Sequence, residues 1–231
     1  MRIVIAGGHG KIARALTREL TRDGHTVVGL IRSAEQSADL LLDGAEPQVI
    51  DLENSPVDDL ARILDGADVA VFAAGAGPGS GDARKKSVDL GASVLLADAA
   101  EAAGVPRFVQ ISSTGVDLVR DGATPEEVPA DFLAYLQAKL GAEVDLVKRD
   151  LAWTIVRPGS LTDDEPTGMV RLERTGPDES GVVHPETDGS IPRADVAAVL
   201  AELIRTGAGV RATLHLISGP ATVTEAVAIF A

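Results

Sequence analysis

The most constraining feature of this sequence is its opening stretch, MRIVIAGGHGKIARAL, in which a short apolar run enters a glycine-rich turn and a helical pattern begins at once. That order reads as strand, turn and helix. Gly8-His9-Gly10-Lys11-Ile12-Ala13 fits the spacing G-x-G-x-x-A, and Gly7, Gly10 and Ala13 fit a looser variant of it. Gly7 or Gly8 permits the tight turn out of the strand. Gly10, lacking a Cβ, lets the backbone approach a pyrophosphate, and the small Ala13 lets the helix sit close on the sheet. The N–H groups opening that helix, aided by its dipole, favour an anion. The turn Gly7, Gly8, His9, Gly10, Lys11 and Ile12 is therefore the first candidate for binding a dinucleotide.

The rest of the chain repeats the strand–helix alternation. Strand candidates are RIVIA (2–6), TVVGLI (26–31), PQVID (47–51), ADVAVFAA (67–74), RFVQIS (107–112), AWTIVR (152–157) and TLHLI (213–217). Several are apolar throughout, as in strands covered on both faces. Helices are predicted over 11–22, 86–103 and roughly 130–149. In the last, Leu133, Leu136, Leu140, Val144 and Val147 step by three or four and predict one buried stripe. The expected fold class is α/β, a Rossmann-type doubly wound parallel sheet of about seven strands. The 231 residues suit one domain, 1–231, with the polar, Pro- and Gly-containing stretch 160–192 as a small substrate lobe carrying possible short strands at GMVRLER and GVVHPE.

Composition excludes several functions. The formal net charge of −14 argues against a nucleic-acid partner, which needs a basic face. No apolar run reaches the ~18 residues of a membrane span. No signal-peptide pattern is present, so a cytoplasmic protein is expected. The absence of cysteine rules out thiol catalysis and disulfides, and four scattered histidines do not predict a metal site. An acidic protein can still hold an anionic cofactor where a few cations and backbone donors converge.

The second strand ends in Arg32-Ser33 rather than in the carboxylate that accepts from an NAD ribose. A guanidinium there can stack on adenine and pair with a 2′-phosphate, which favours NADP(H) over NAD(H). After the fifth strand comes ISSTG (111–115), and the long helix carries Tyr135-x-x-x-Lys139. Residues four apart share a helix face, so Lys139 can favour the phenolate of Tyr135 and can also reach a cofactor ribose. Tyr135 then serves as acid or base at a carbonyl or hydroxyl, with a strand-end serine hydroxyl holding that oxygen.

The segments AGGHGKIA, GLIRS, IDLE, VFAAGAG, FVQISSTG, YLQAK, TIVRPGSL and IPRADVA, in this order, resemble the atypical short-chain dehydrogenase/reductase superfamily. Within it they resemble the NAD(P)H-binding subfamily that is similar to NmrA-like sensors, flavin and biliverdin reductases and NAD-dependent epimerase/dehydratases. The resemblance implies that Asp51 and Leu52 lie by the adenine and that Ala73, Ala74 and Gly75 line the adenine–ribose side. It implies that Pro158, Gly159, Ser160 and Leu161 meet the nicotinamide end, with Ser112 also near the cofactor. Arg193 and Asp195 are implied to be structural. Ser112, Ser113 and Thr114 compete for the substrate-orienting role, and Ser113 is favoured. The expected partners are the dinucleotide and a small-molecule substrate, with the chain a monomer or homodimer. The expected activity is hydride transfer to a carbonyl-type substrate. A non-catalytic NADP(H) sensor and a sugar-nucleotide epimerase or dehydratase are the alternatives.

Overall fold

The computed structural model describes residues 1–77, 79–177, 183–184 and 186–231, the side chains of 177, 183 and 184 excepted. The chain runs β1 (Arg2–Ala6), α1 (Lys11–Arg22), β2 (Thr26–Ile31), α2 (Ser37–Leu42), β3 (Glu46–Val49), α3 (Val57–Leu64) and β4 (Val69–Phe72). A single turn α4 (Asp82–Arg84) leads into a π-helical stretch, Lys85–Ala92, which continues as α5 (Ser93–Ala102). Then come β5 (Arg107–Ile111), a 3-10 segment Val116–Gly122, α6 (Ala130–Leu146) and β6 (Ala152–Pro158). The short strands β7 (Ser160–Thr162), β8 (Met169–Arg174), β9 (Gly176–Pro177), β10 (Val183–His184) and β11 (Ser190–Pro192) precede α7 (Arg193–Thr206). The chain closes with β12 (Ala212–Ser218), β13 (Ala221–Thr222) and α8 (Val223–Ala228).

All seven predicted strands pair in parallel, in the spatial order β12-β6-β5-β4-β1-β2-β3. Alternate residues of β1 explain the two-sided core. Ile3 and Ile5 pack with α1, α7 and α8 on one face, and Val4 and Ala6 with α3, α5 and α6 on the other. Strands buried this way read as continuous apolar runs.

The central sheet is larger than expected, with nine strands. GMVRLER, predicted as a possible short strand of the small lobe, is β8 and lies antiparallel on β12, with Leu216 opposite Leu172. Val170 and Leu172 are buried while Met169 and Arg171 face out, the alternation of a one-sided antiparallel strand. β13 pairs with β8 at the sheet edge. Of the other predicted lobe strand, GVVHPE, residues 181, 182 and 185 lie outside the described residues, and Val183–His184 pairs with β9.

Two helices depart from expectation. The predicted helix 86–103 is α-helical only from Ser93. Its first half is a π stretch that buries Lys85, Val88, Asp89 and Ala92, and such stretches concentrate at functional sites. On α6 the predicted stripe is wrong in its second half, because Val144 and Val147 are 37% and 43% exposed. The buried face instead carries Leu136, Lys139, Ala142, Glu143 and Leu146. Two charged side chains turn inward there because each finds a buried partner, described below.

Candidate functional site

The glycine turn lies where β1 ends and α1 begins, and its two leading glycines have separate reasons. Gly7 adopts φ +78°, and a Cβ there would lie 2.6 Å from the Ala74 Cα on the loop after β4. Gly8 faces β2, where a Cβ would lie 2.8 Å from the Gly29 Cα, and its N–H donates to Leu30 O at 2.9 Å. Gly7 therefore makes the turn and Gly8 permits the close approach to the neighbouring strand. At Gly10, the N-cap of α1, no side chain caps the helix, and its first turn holds no carboxylate. The first N–H groups of α1 are left for an external acceptor.

Beside this turn opens a cavity of about 540 Å³, within the usual range for small-molecule sites. Its floor is Gly7, His9 and Gly10, and one wall is Ala73, Ala74 and Gly75. Arg32, Asp51 and Leu52 line the far side. Arg32 is exposed and makes no ion pair with any other described residue. His9 Nε2 lies 2.7 Å from Asp39, which ties the turn to α2. The Asp51 carboxylate accepts from the Asn54 amide (2.8 Å) and from the Glu53 N–H (2.9 Å), and these bonds hold it below the usual carboxylate range.

Three cavity residues with polar side chains escaped sequence reasoning: Gln36, Glu53 and Arg84. Glu53 pairs with Arg84 at 3.1 Å and accepts from Ser87 Oγ at 2.5 Å, bridging the loop after β3 to the start of the π stretch. Proximity to Asp51 and to the glycine-rich loop 75–82 was the only signal for them, and neither is specific.

Several predicted residues lie elsewhere. Lys11 does not line the cavity; its Nζ is 2.5 Å from Asp163, which also pairs with Arg193 at 2.8 Å. Ile12 packs half-buried against the α1 side of the core. The Ser33 hydroxyl accepts from the Glu35 N–H and caps a helical turn. Gly159 and Ser160 donate backbone N–H groups to Leu216 O and Gly189 O, both at 2.9 Å, and neither they nor Pro158 and Leu161 line the cavity.

The β5 and α6 candidates form a second cluster. Ser112 is buried, and its Oγ has no hydrogen-bond partner among the described residues. Ser113 Oγ donates to Thr114 O at 3.0 Å. Tyr135 is half-buried, stacks on Phe132 with ring centroids 5.6 Å apart, and has Lys139 Nζ 5.8 Å from its ring centre. Lys139 is only 4% exposed. Its ammonium is 3.2 Å from Asp89 Oδ1, donates to Ile111 O at 3.2 Å, and lies over the Phe72 ring. The fully buried Asp89 also accepts the Ala76 N–H at 3.2 Å, next to the cavity wall. The tyrosine and lysine thus share a face, but the ammonium is drawn to a carboxylate 50 residues upstream in the chain. Sequence reasoning missed Asp89 because no spacing rule links it to Lys139.

Among the described residues no group of three or more His, Asp or Glu could hold a metal ion, and no helix is long and apolar enough to cross a membrane.

Comparison with known proteins gives the site a context. The sequence pattern of the NAD(P)H-binding family matches residues 7–206. A solved structure from Bacillus halodurans, of a protein named as a candidate NAD-dependent epimerase/dehydratase, is 33% identical and superposes with a TM-score of 0.86 over 99% of both chains. The uncharacterised sugar epimerase YhfK of Bacillus subtilis is 31% identical over 172 residues, 74% of this chain and 77% of its own. The anaerobillin reductase ChuY of Escherichia coli O157:H7 shares the fold, with a TM-score of 0.75 and 24% identity over 94% of this chain and 97% of its own.

Proposed function

The chain belongs to the NAD(P)H-binding family, and from that premise we propose that it is an NADP(H)-dependent oxidoreductase of atypical short-chain type acting on a small carbonyl-bearing substrate. The observation that carries the cofactor reading is Arg32, a cavity-lining guanidinium without an ion-pair partner among the described residues, at the end of a strand where an NAD-binding protein places a carboxylate. The uncapped start of α1 and the cradle between Gly7 and Ala74 suit a pyrophosphate, and Asp51, Leu52 and Ala73–Gly75 suit the adenosine side. NADPH supplies a hydride when bound.

In this reading the chain's own groups handle the proton and the orientation. The Tyr135 phenol donates its proton at the substrate oxygen, and the Ser113 hydroxyl orients that oxygen. Lys139 is the electrostatic partner of the phenol, its ammonium 5.8 Å from the Tyr135 ring centre and 3.2 Å from the Asp89 carboxylate. The described segments of 160–192 outside the central sheet, β7 and β11 among them, serve in this reading as the substrate side of a single domain.

The Lys139–Asp89 pair favours a second reading, in which hydride passes to a flavin- or quinone-like acceptor without a tyrosine proton. A fluorescence titration of the purified protein with NADPH and NADH, alongside Arg32→Ala, tests the cofactor assignment. Loss of one charge-assisted contact is expected to weaken NADPH about tenfold and leave NADH unchanged. Equal weakening of both sinks the NADP preference. Tyr135→Phe then separates the acceptors: most carbonyl turnover is lost in the first reading, and turnover is insensitive in the second. Binding without turnover on any acceptor points to a sensor.

A further inference from the structure

Arg157, at the end of β6, is 1% exposed and is the largest fully buried side chain described. Its guanidinium makes a bidentate pair with Glu143 of α6, Nε to Oε1 at 3.0 Å and Nη2 to Oε2 at 2.6 Å. Nη1 reaches Asp117 Oδ2 at 2.7 Å and Glu186 Oε1 at 3.1 Å. Arg120 also pairs with Asp117. The other Glu186 oxygen accepts from the Thr114 hydroxyl and the Gly115 N–H, both at 2.7 Å. One carboxylate, carried on the segment returning to β11, therefore grips the two residues that follow Ser113 and fastens them to Arg157.

The backbone of that segment is itself fixed. His215 Nε2 lies 2.8 Å from Thr187 O, Ser160 N–H donates to Gly189 O, and Gly189 packs on Ile217. Glu186 thus projects from a firm base. The loop it holds is tied to β6 by the Ser112 N–H to Val156 O (2.7 Å) and the Thr114 N–H to Pro158 O (3.1 Å), so Glu186 fixes its far side, while the Ser113 hydroxyl bonds only to the adjacent Thr114 carbonyl among the described residues. Desolvating one guanidinium and three carboxylates is expensive, and such clusters are poor sources of net stability. Their value lies in geometry, because a charge-assisted, three-donor grip fixes position closely.

We propose that Glu186 is a positioning residue, a carboxylate tether that holds loop 112–115 against Arg157 and so sets where the Ser113 hydroxyl points. The tether rests on the oxidoreductase reading only in its effect on turnover; its effect on the loop stands apart from it.

The test compares the full-length wild type with Glu186→Ala and Glu186→Gln by amide hydrogen exchange over 112–118, NADPH titration and steady-state kinetics, with and without added formate. In Glu186→Ala, exchange at Gly115 is expected to accelerate at least about tenfold, the worth of a lost hydrogen bond to a charged group. Formate, a free carboxylate, slows it again, whereas equal chloride does not. NADPH affinity changes less than about twofold, and kcat falls about tenfold with KM little moved. Glu186→Gln keeps one acceptor oxygen and the same length, so it folds if the alanine variant does not, and it gives intermediate exchange. Unchanged exchange in both variants overturns the tether. Faster exchange with unchanged kcat overturns its role in placing Ser113. A wild type inactive on every acceptor defeats the oxidoreductase reading alone, since exchange reports the tether without turnover.

Discussion

The glycine-turn end of the sheet and the end formed by β5 and β6 are built on opposite plans. At the glycine turn, the site is made by what is missing: side chains absent at Gly7, Gly8 and Gly10, a helix start without a side-chain cap, and an arginine without an ion-pair partner among the described residues. At the ends of β5 and β6, the polar groups are instead engaged. Lys139 is paired with Asp89, and Arg157 with Glu143, Asp117 and Glu186. The first end is prepared for a ligand that brings its own charge. The second holds its shape by internal charge and leaves the hydroxyls of Ser112, Ser113 and Tyr135 as its lightly bonded groups. The two are linked through Asp89, which accepts the Ala76 N–H beside the cavity and pairs with Lys139.

The difference can be broken most severely at Arg157. Arg157→Ala leaves buried carboxylates uncompensated and is expected to destabilise the fold by about 3–5 kcal/mol, read as a drop in Tm and in the denaturant midpoint. A loss below about 1 kcal/mol would show the cluster to be solvated and the contrast between the two ends to be false. Gly7→Ala attacks the other end. It forces a side chain into a left-handed turn and against the Ala74 backbone, at a cost of about 2–4 kcal/mol. NADPH binding should be lost while amide exchange over 112–118 in the folded fraction stays as in wild type. Coupled changes at both ends would refute their independence.

The smallest effect is in acid. Burial pushes the Asp117 carboxyl up, but the hydrogen bonds and charges of Arg157 and Arg120 outweigh it and hold the group below its ordinary 3.8. A carboxyl lowered by folding adds stability that is fully present above the unfolded value and is lost as pH falls through the folded one. Thermal unfolding between about pH 3 and 6 should therefore show a shallower acid decline in Asp117→Asn than in wild type. Asp51, also lowered but exposed at the open end, should give a smaller change of the same sign when replaced by Asn, because solvent screens it.

This contrast also explains what could be read from the sequence. The seven parallel strands and the glycine turn were legible because each depends on a few neighbouring residues: apolar runs, a positive φ, a missing Cβ. Gly7, Gly10, Arg32, Asp51 and Ala73–Gly75 accordingly fall on one cavity. The buried face of α6 was not legible, because Lys139 and Glu143 are inside only by virtue of Asp89, 50 residues before Lys139, and Arg157, 14 residues after Glu143. Periodicity counts hydrophobic residues and assigns paired charges to solvent. β8 was misplaced for a related reason: its alternation marks a strand but says nothing about which edge it joins. Glu186 had no local signature at all, since its partners Thr114 and Gly115 lie more than 70 residues away.

The contact between Gly8 and Gly29 carries a lesson for redesigning coenzyme choice. Gly29 lies three residues before Arg32, and a side chain there would strike Leu40 on one side while Gly8 approaches it on the other. Transplanting the β2 terminus from a protein with different coenzyme preference is therefore safe only downstream of position 29. A longer graft that brings in a methyl group at that point would strike the Leu40 side chain and force α2 to repack. In the proposed reading coenzyme preference rests on a few exchangeable residues after β2, and their upstream boundary lies where the glycine turn meets that strand, at Gly8 and Gly29.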